Sequence, residues 1–181
     1  ILTPQFHDGL DFDIGWMGSW ADSVSFGKAQ DRWMADGRQL AADFDSVVDC
    51  SKRHQLATSV AVNAPDGPPD DGVVMFLRCT MREGKSPAEA RPAHRKSGAA
   101  MREMGSKGMS WLFDPFLGTS QADFDDWSVL AFNKYTELGA TQEKYLNGGG
   151  WEKVMGILGP VSDCKDPSVF DAKLVRAGAG R

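Results

Sequence analysis

Features that would point to a particular partner are scarce in this sequence. It has only three histidines, no prominent run of Lys and Arg, and no apolar stretch long enough to cross a bilayer. The formal net charge is −5. Because nucleic acids and anionic membranes attract proteins through a basic face, we expect neither as a main partner. We likewise expect no insertion into a membrane.

Metal-binding and catalytic signatures are also scarce. No two of His7, His54 and His94 have the spacing of metal ligands. Two acidic pairs lack the remaining oxygens of a calcium loop, namely Asp11 with Asp13 and Asp123 with Asp125. We therefore predict no metal site and no cofactor. His94 lies in the middle of a predicted helix and is a weak candidate for a catalytic base or a haem ligand, although such histidines are more often only hydrogen-bonded.

The sequence does contain an internal similarity, in which residues around 1–63 follow the pattern of residues around 112–176. After a two-residue insertion in the later copy, the matches continue into a Val, Asp and Cys group. The main matches are Asp11 with Asp123, Asp13 with Asp125, Gly27 with Gly139, Gln30 with Gln142, Trp33 with Tyr145, Gly37 with Gly149, and Cys50 with Cys164. They are few but ordered, so we predict a duplication.

Both copies predict the same order of elements: a strand, an amphipathic helix, a glycine break, a short second helix and a strand. Glycine costs a helix interior about 1 kcal/mol relative to alanine, so the consecutive glycines after Asn147 end the helix there. The expected first strands are Phe12 to Trp20 and Trp127 to Phe132. The expected first helices cover about 25–35 and 137–146, and the last strands begin near Cys50 and Cys164.

The middle of the chain adds a strand, a helix and a second strand. Residues 72–79 form an apolar, β-branched run that predicts a buried strand. Ser86-Pro87-Ala88-Glu89 combines an N-cap, a proline at the first helical position and the Glu of a capping box, so a helix is expected up to about Met104. A strand follows at 110–113. From residue 72 the order is therefore β-α-β-β-α-β, which is that of the ferredoxin-like fold.

The predicted fold class is therefore α+β, with a complete ferredoxin-like unit at 72–181. Residues 1–63 are expected to be the second half (β-α-β) of a preceding unit. Residues 64–71, rich in Pro, Gly and Asp, are the expected linker. The chain begins at Ile1 without a Met, and we expect the first β-α half of that preceding unit to be missing from it.

The sequence resembles tandem ferredoxin-like proteins of the dimeric α/β-barrel superfamily, in particular an uncharacterised bacterial family with duplicated units. The similar segments include Cys79-Thr80, Glu83 to Ser86, Trp111 to Gly118, Asp123 to Asp125, Asn147 to Trp151, and Asp163 to Ala172. The resemblance implies sheets that pack face to face, but it supplies no catalytic motif. Monooxygenases, cyclases and isomerases occur in this superfamily, so the fold alone does not define a function.

The three cysteines are explained by the predicted topology. In the split β-α-β order the first strand lies antiparallel beside the last, which brings Cys79 close to Cys164 and allows a disulfide. Cys50 occupies the matching position of the earlier copy, and its partner would lie in the missing half. A disulfide favours a periplasmic or secreted protein. The alternative is three buried thiols in a cytosolic protein.

Aromatic residues are the best candidates for a ligand surface, either as the lining of an apolar pocket or as core between two sheets. The pocket candidates are Trp16, Trp33, Trp111, Trp127, Tyr145 and Trp151. The favoured function is a non-catalytic binding or assembly protein with a protein partner or as a homo-oligomer. The alternatives are a small-molecule oxygenase or isomerase that uses His94, and a carrier of a small apolar ligand such as haem or a pigment.

Overall fold

The structure, a computed structural model, describes residues 1–7, 9–49, 54–63, 70–119 and 123–176. Within these residues the chain forms an α+β fold of six strands and five helices. In chain order the elements are β1 (Leu2–Phe6), α1 (Ser23–Asp36), α2 (Arg38–Asp45), β2 (Leu56–Asn63), β3 (Gly72–Met81), α3 (Pro87–Glu103), β4 (Met109–Leu117), β5 (Asp126–Phe132), α4 (Tyr135–Leu146), α5 (Gly150–Leu158) and β6 (Ser162–Ala172). None of the described helices is long and apolar enough to cross a membrane.

The six strands form one open antiparallel sheet in the order β1-β6-β3-β5-β4-β2. The predicted antiparallel pairing of the first and last strands of the later unit is confirmed, because β3 pairs with β6. The sequence did not predict where β1 and β2 join the sheet. β1 extends it beyond β6 and β2 extends it beyond β4, so these two strands lie at opposite edges.

The predicted strand from Phe12 to Trp20 is wrong. In this stretch only Gly15 makes a β-bridge, in which its backbone N–H and C=O bond to Leu2 at 2.7 and 2.8 Å. Gly15 and Gly18 have no side chains to pack on a sheet, which weakens a strand at this point. For the strand expected near Cys50, residues 50–53 lie outside the described residues, and the described strand there is β2, which begins at Leu56.

The predicted helix–glycine–helix arrangement is present in both segments of the chain for which it was expected, as α1 and α2 and as α4 and α5. At the earlier break a Cβ on Gly37 would lie 2.5 Å from the backbone oxygen of Trp33, so a larger residue would clash. At the later break Gly149 has a φ of 79°, the left-handed conformation that glycine adopts readily. Glycine is therefore required after α1 because a side chain would clash, and after α4 because the backbone is left-handed.

The chain divides into two compact units, Ile1–Trp16 with Gln55–Arg181 and Met17–His54. The smaller unit contains α1 and α2, and Asp22 caps α1 by accepting a hydrogen bond from the backbone N–H of Ser25 at 2.7 Å. The larger unit contains the whole sheet. Of the predicted linker at 64–71, residues 64–69 lie outside the described residues. The expected half-unit at 1–63 stays a prediction.

The two faces of the sheet differ within the larger unit. On the face that we call the helix-covered face, α4 packs against β3 and β5, and α3 packs against β2 and α5. Its core contains Val73, Phe132, Leu138 and Val169, of which Phe132 is only 1% exposed. The opposite face, which we call the aromatic face, carries aromatic side chains from four strands. These are Phe76 of β3, Trp111 and Phe113 of β4, Trp127 of β5 and Phe170 of β6.

Candidate functional site

A polar cluster lies on the helix-covered face near the end of β3. Cys79 of β3 lies directly opposite Asp126 of β5 and Cys164 of β6 in the strand register. Residues directly opposite on neighbouring strands point to the same face of a sheet. The register therefore places all three side chains together. We define the polar cluster as Cys79, His94, Asp126 and Cys164.

The predicted disulfide between Cys79 and Cys164 is confirmed, and it joins positions 85 residues apart in sequence. Cys79 is fully buried, with 0% exposure, whereas Cys164 is partly exposed. The bond covalently ties the central strand β3 to its neighbour β6. An external thiol or other reductant therefore reaches the pair more easily through Cys164.

His94 comes to this disulfide from the middle of α3. Its side chain lies on the buried side of the helix with Ala90, Ala93 and Ser97 and is 4% exposed. A ring nitrogen of His94 and the two cysteine sulfurs all lie within 4.8 Å of one another. The Nε2 atom is buried and has no hydrogen-bond partner among the described residues. Burial penalises the charged imidazolium and lowers the pKa of His94 from 6.5 to about 4, so the ring is neutral at neutral pH.

Asp126 is the acidic member of the polar cluster. It is 2% exposed, and its Oδ1 atom has no hydrogen-bond partner among the described residues. Burial, followed by the negative charges of Asp114 and Asp125, raises the pKa of Asp126 from 3.8 to about 7, while Arg91 acts in the opposite direction. Since desolvation disfavours a carboxylate, this side chain gains or loses its proton close to neutral pH.

Ion pairs and backbone bonds border the polar cluster. Arg91, one turn before His94 on α3, donates to Asp114 at 2.7 Å. Asp125 accepts a hydrogen bond from the backbone N–H of Met81 at 2.6 Å, and its own N–H donates to the Cys79 oxygen at 2.9 Å. These contacts fix the strand ends around the disulfide. Arg91 also supplies a positive charge near Asp126.

The polar cluster therefore combines three chemical capacities. The disulfide can accept two electrons, the neutral imidazole can offer a lone pair, and Asp126 can hold or release a proton near pH 7. Reduction gives two thiols, and loss of their protons gives thiolates, which are ligands that suit soft and borderline metals. In sequence His94 is distant from both cysteines, and for this reason spacing did not reveal their convergence.

The predicted aromatic pocket residues are distributed over several elements. Trp111 and Trp127 lie on the neighbouring strands β4 and β5 and share the aromatic face. Trp16, Trp33 and Trp151 are 63%, 42% and 50% exposed, respectively. Tyr145 is half-buried on α4, where burial raises its pKa. The structure thus brings Trp111 and Trp127 onto one surface, whereas Tyr145 and Trp151 lie on α4 and α5.

Other histidines lie outside the polar cluster. His7 and His54 are exposed, and His7 accepts a hydrogen bond through Nδ1 from the backbone N–H of Leu10 at 3.2 Å. Asp126 was not singled out from the sequence, although it is an acid placed at the start of an apolar strand. The register that sets it opposite Cys79 would have identified it.

The chain matches no family model, and no curated protein or solved structure is significantly similar to it. Function is therefore inferred from the chemistry of the two sheet faces.

Proposed function

We propose that the protein is a non-catalytic binding protein of the tandem ferredoxin-like type, which assembles with a second copy through its aromatic face. The observation that supports this function is a continuous layer of aromatic rings on the side of the sheet opposite α3, α4 and α5. The strand order β6-β3-β5-β4 supports the ferredoxin-like assignment, since it places the first strand of the unit between the third and the fourth.

The aromatic layer crosses four strands. Phe76 contacts Phe113 edge-on at a ring-centroid distance of 6.2 Å and contacts Phe170 at 5.5 Å. Phe12 stacks on Phe170 at a ring-centroid distance of 6.3 Å. Beneath the rings Val129, which lies opposite Phe76 in the register, is only 2% exposed. Such pairs bury apolar area and favour defined ring orientations, so the layer is a preformed surface.

The size of this face suits sheet-on-sheet association. Six strands spaced about 4.8 Å apart span about 24 Å, and a strand of ten residues such as β3 is about 33 Å long. The whole sheet face therefore covers about 800 Å² at most, and the four strands that carry the aromatic layer cover about 480 Å² of it, which is the size of a small interface. Sheets that pack face to face lie about 10 Å apart, with interdigitated side chains.

Charged residues border the aromatic layer near the end of β3. Arg78 follows Phe76 on the same face and forms ion pairs with Asp166 at 2.7 Å and with Asp123 at 3.6 Å. All three side chains are partly or largely exposed. A polar rim around an apolar centre is typical of protein interfaces. The arrangement supports a protein partner on this face.

The disulfide supports an extracytoplasmic location, because disulfides persist in oxidising compartments. We therefore propose that the protein acts in the periplasm or outside the cell. The enzyme alternative has less support. The surface depression between β2 and α3 is lined by residues that do not include His94, namely Val62, Asn63, Arg95, Ala99, Arg102 and Glu103.

The oligomeric state in solution tests the proposal. Sedimentation equilibrium of the purified protein should give a dimer at micromolar concentration. Trp111→Arg introduces a charge on the aromatic face, at β4, and should weaken the dimer at least tenfold. The matched control is Trp151→Arg on α5, which should leave the dimer intact because it changes an exposed tryptophan on another element.

Near-UV circular dichroism establishes that each variant retains the fold. A wild-type protein that stays monomeric at 100-fold higher concentration would overturn the proposal. Equal dissociation constants for the wild type and a folded Trp111→Arg variant would also overturn it.

A further inference from the structure

We propose that reduction of the Cys79–Cys164 disulfide converts the polar cluster into a binding site for a thiophilic divalent cation of the Zn²⁺ class. The ligands are the two cysteine sulfurs and a ring nitrogen of His94. In the oxidised protein the disulfide occupies the sulfurs and excludes the metal. Metal binding is therefore controlled by the redox state of the protein.

The positions of the three side chains support this site. Their ligand atoms lie within 4.8 Å of one another, on three elements of the same unit, β3, α3 and β6. Zn–S bonds of about 2.3 Å and Zn–N bonds of about 2.0 Å in a tetrahedron require sulfurs about 3.8 Å apart. The sulfurs are bonded to each other in the disulfide and are therefore closer than this, so after reduction they must move apart. Side-chain rotation can supply this movement while the strands stay paired.

A second observation is the unsatisfied nitrogen of His94. Its Nε2 atom is buried without a hydrogen-bond partner among the described residues, although buried polar atoms are normally satisfied. A metal would use an imidazole lone pair that the fold has brought next to the sulfurs. Among the described residues, neither His7 nor His54 belongs to a comparable cluster of possible metal ligands, and both are exposed.

The charge of the loaded site fits its burial. A buried ion is costly unless neighbouring charges neutralise it. Two thiolates carry two negative charges, which balance those of a divalent cation, and the imidazole is a neutral ligand. Three protein ligands leave one tetrahedral position for water or an external donor. Cys164, the more exposed ligand, marks the side from which the cation would enter.

The reaction balances with a trialkylphosphine as reductant. The phosphine takes an oxygen atom from water and becomes a phosphine oxide, two electrons break the S–S bond, and the two hydrogens of water protonate the sulfurs. Binding of Zn²⁺ then replaces the two thiol protons, which are released to solvent. A cellular dithiol could supply the same two electrons and two protons by forming its own disulfide.

The experiment uses the full chain with Cys50→Ser, so that Cys79 and Cys164 are the only cysteines left. The reduced protein is titrated anaerobically with Co²⁺ and then with Zn²⁺ in competition. We expect one Co²⁺ per chain, tetrahedral visible bands and near-ultraviolet sulfur-to-cobalt absorption, all displaced by Zn²⁺. The oxidised protein should bind at least 100-fold more weakly and show no sulfur-to-cobalt absorption.

Matched variants separate the site from surface binding. His94→Gln should weaken binding at least tenfold, whereas His54→Gln, at an exposed histidine, should leave it unchanged. Near-UV circular dichroism monitors folding in each state. Absence of binding to the reduced protein, equal affinity of the oxidised protein, or unchanged affinity of His94→Gln would overturn the proposal. Loss of the native spectrum on reduction that Zn²⁺ does not restore would overturn it too.

Discussion

The helix-covered face has two ends that differ in chemistry, although the same strands β3, β5 and β6 build both. At one end Val73, Phe132 and Val169 form an apolar core. At the other end the polar cluster places a disulfide beside a buried histidine and a buried carboxyl. Burial of hydrocarbon stabilises the first end, whereas a covalent bond holds together groups whose burial is costly at the second. The two ends are therefore stabilised in different ways, the first by apolar packing and the second by a covalent bond.

Removal of the disulfide should have the largest effect. The double variant Cys79→Ala/Cys164→Ala opens a loop between positions 85 residues apart, and loop entropy predicts a loss of about 4.6 kcal/mol in the free energy of unfolding. Urea unfolding without reductant measures the loss. Wild-type protein unfolded with reductant is the control and should show a similar decrease. A loss below about 1 kcal/mol would show that the bond does not hold the polar end together.

Truncation of a core side chain at the apolar end should lower the free energy of unfolding by slightly less. Phe132 is 1% exposed, and Phe132→Ala should lower the free energy of unfolding by about 4 kcal/mol, since it removes a buried ring and leaves a cavity. Phe116→Ala is the control, because this ring is 64% exposed and its loss should cost less than about 0.5 kcal/mol. Equal effects of the two substitutions would be incompatible with a core at this end.

The sequence predicted the strands of both ends and the disulfide of the polar end, but it did not identify Asp126. Residues 72–79 and the Ser86–Glu89 cap identify β3 and α3 through local patterns, and pairing of β3 with β6 then predicts the disulfide. Asp126 is different, because its burial depends on the register with Cys79 and on the position of α3. The prediction of a strand from Phe12 to Trp20 was wrong because it relied on a local pattern alone. The aromatic residues there favour a strand, but the strand that pairs with β6 at the edge of the sheet is β1.

Opposite pH dependences should distinguish the two buried groups of the polar cluster. The raised pKa of Asp126 means that the folded state keeps a proton that the unfolded state loses, so stability falls as pH rises from about 4 to about 7. The lowered pKa of His94 means that the unfolded state takes up a proton first, so stability falls as pH drops from 6.5 to about 4. Between pH 4 and 6.5 the two contributions oppose each other.

Single substitutions should reveal how much each of the two groups contributes to the pH dependence of stability. As pH rises, the free energy of unfolding of Asp126→Asn should increase relative to that of wild type by about 1.4 kcal/mol per pH unit at most. That of His94→Gln should decrease relative to wild type by a similar amount. Urea unfolding at half-unit pH steps measures both differences. Asp123→Asn, at an exposed carboxylate, is the control and should parallel wild type. Slopes of the same sign for Asp126→Asn and His94→Gln would contradict the assigned protonation states.

The smallest effects should come from substitutions at the N-termini of α3 and α4, the helices that pack over the polar and the apolar end. α3, which carries Arg91 and His94, begins at Ser86, whose side chain forms a capping box with Glu89 and donates through Oγ to the Glu89 carboxylate at 3.0 Å. α4, which packs on β3 and β5, begins at Lys134 without a side-chain capping bond. Ser86→Ala should therefore destabilise the protein by about 1 kcal/mol, whereas Lys134→Ser should stabilise it by about 0.5 kcal/mol.

Equilibrium unfolding measures both changes, and amide hydrogen exchange shows where they act. Exchange should accelerate in the first turn of α3 in Ser86→Ala and slow in the first turn of α4 in Lys134→Ser. Because the first turns of α3 support Arg91 and His94, Ser86→Ala should also make the disulfide react faster with a phosphine, whereas Lys134→Ser should leave that rate unchanged. An equal reduction rate in Ser86→Ala and wild type would mean that the start of α3 does not control access to the polar end.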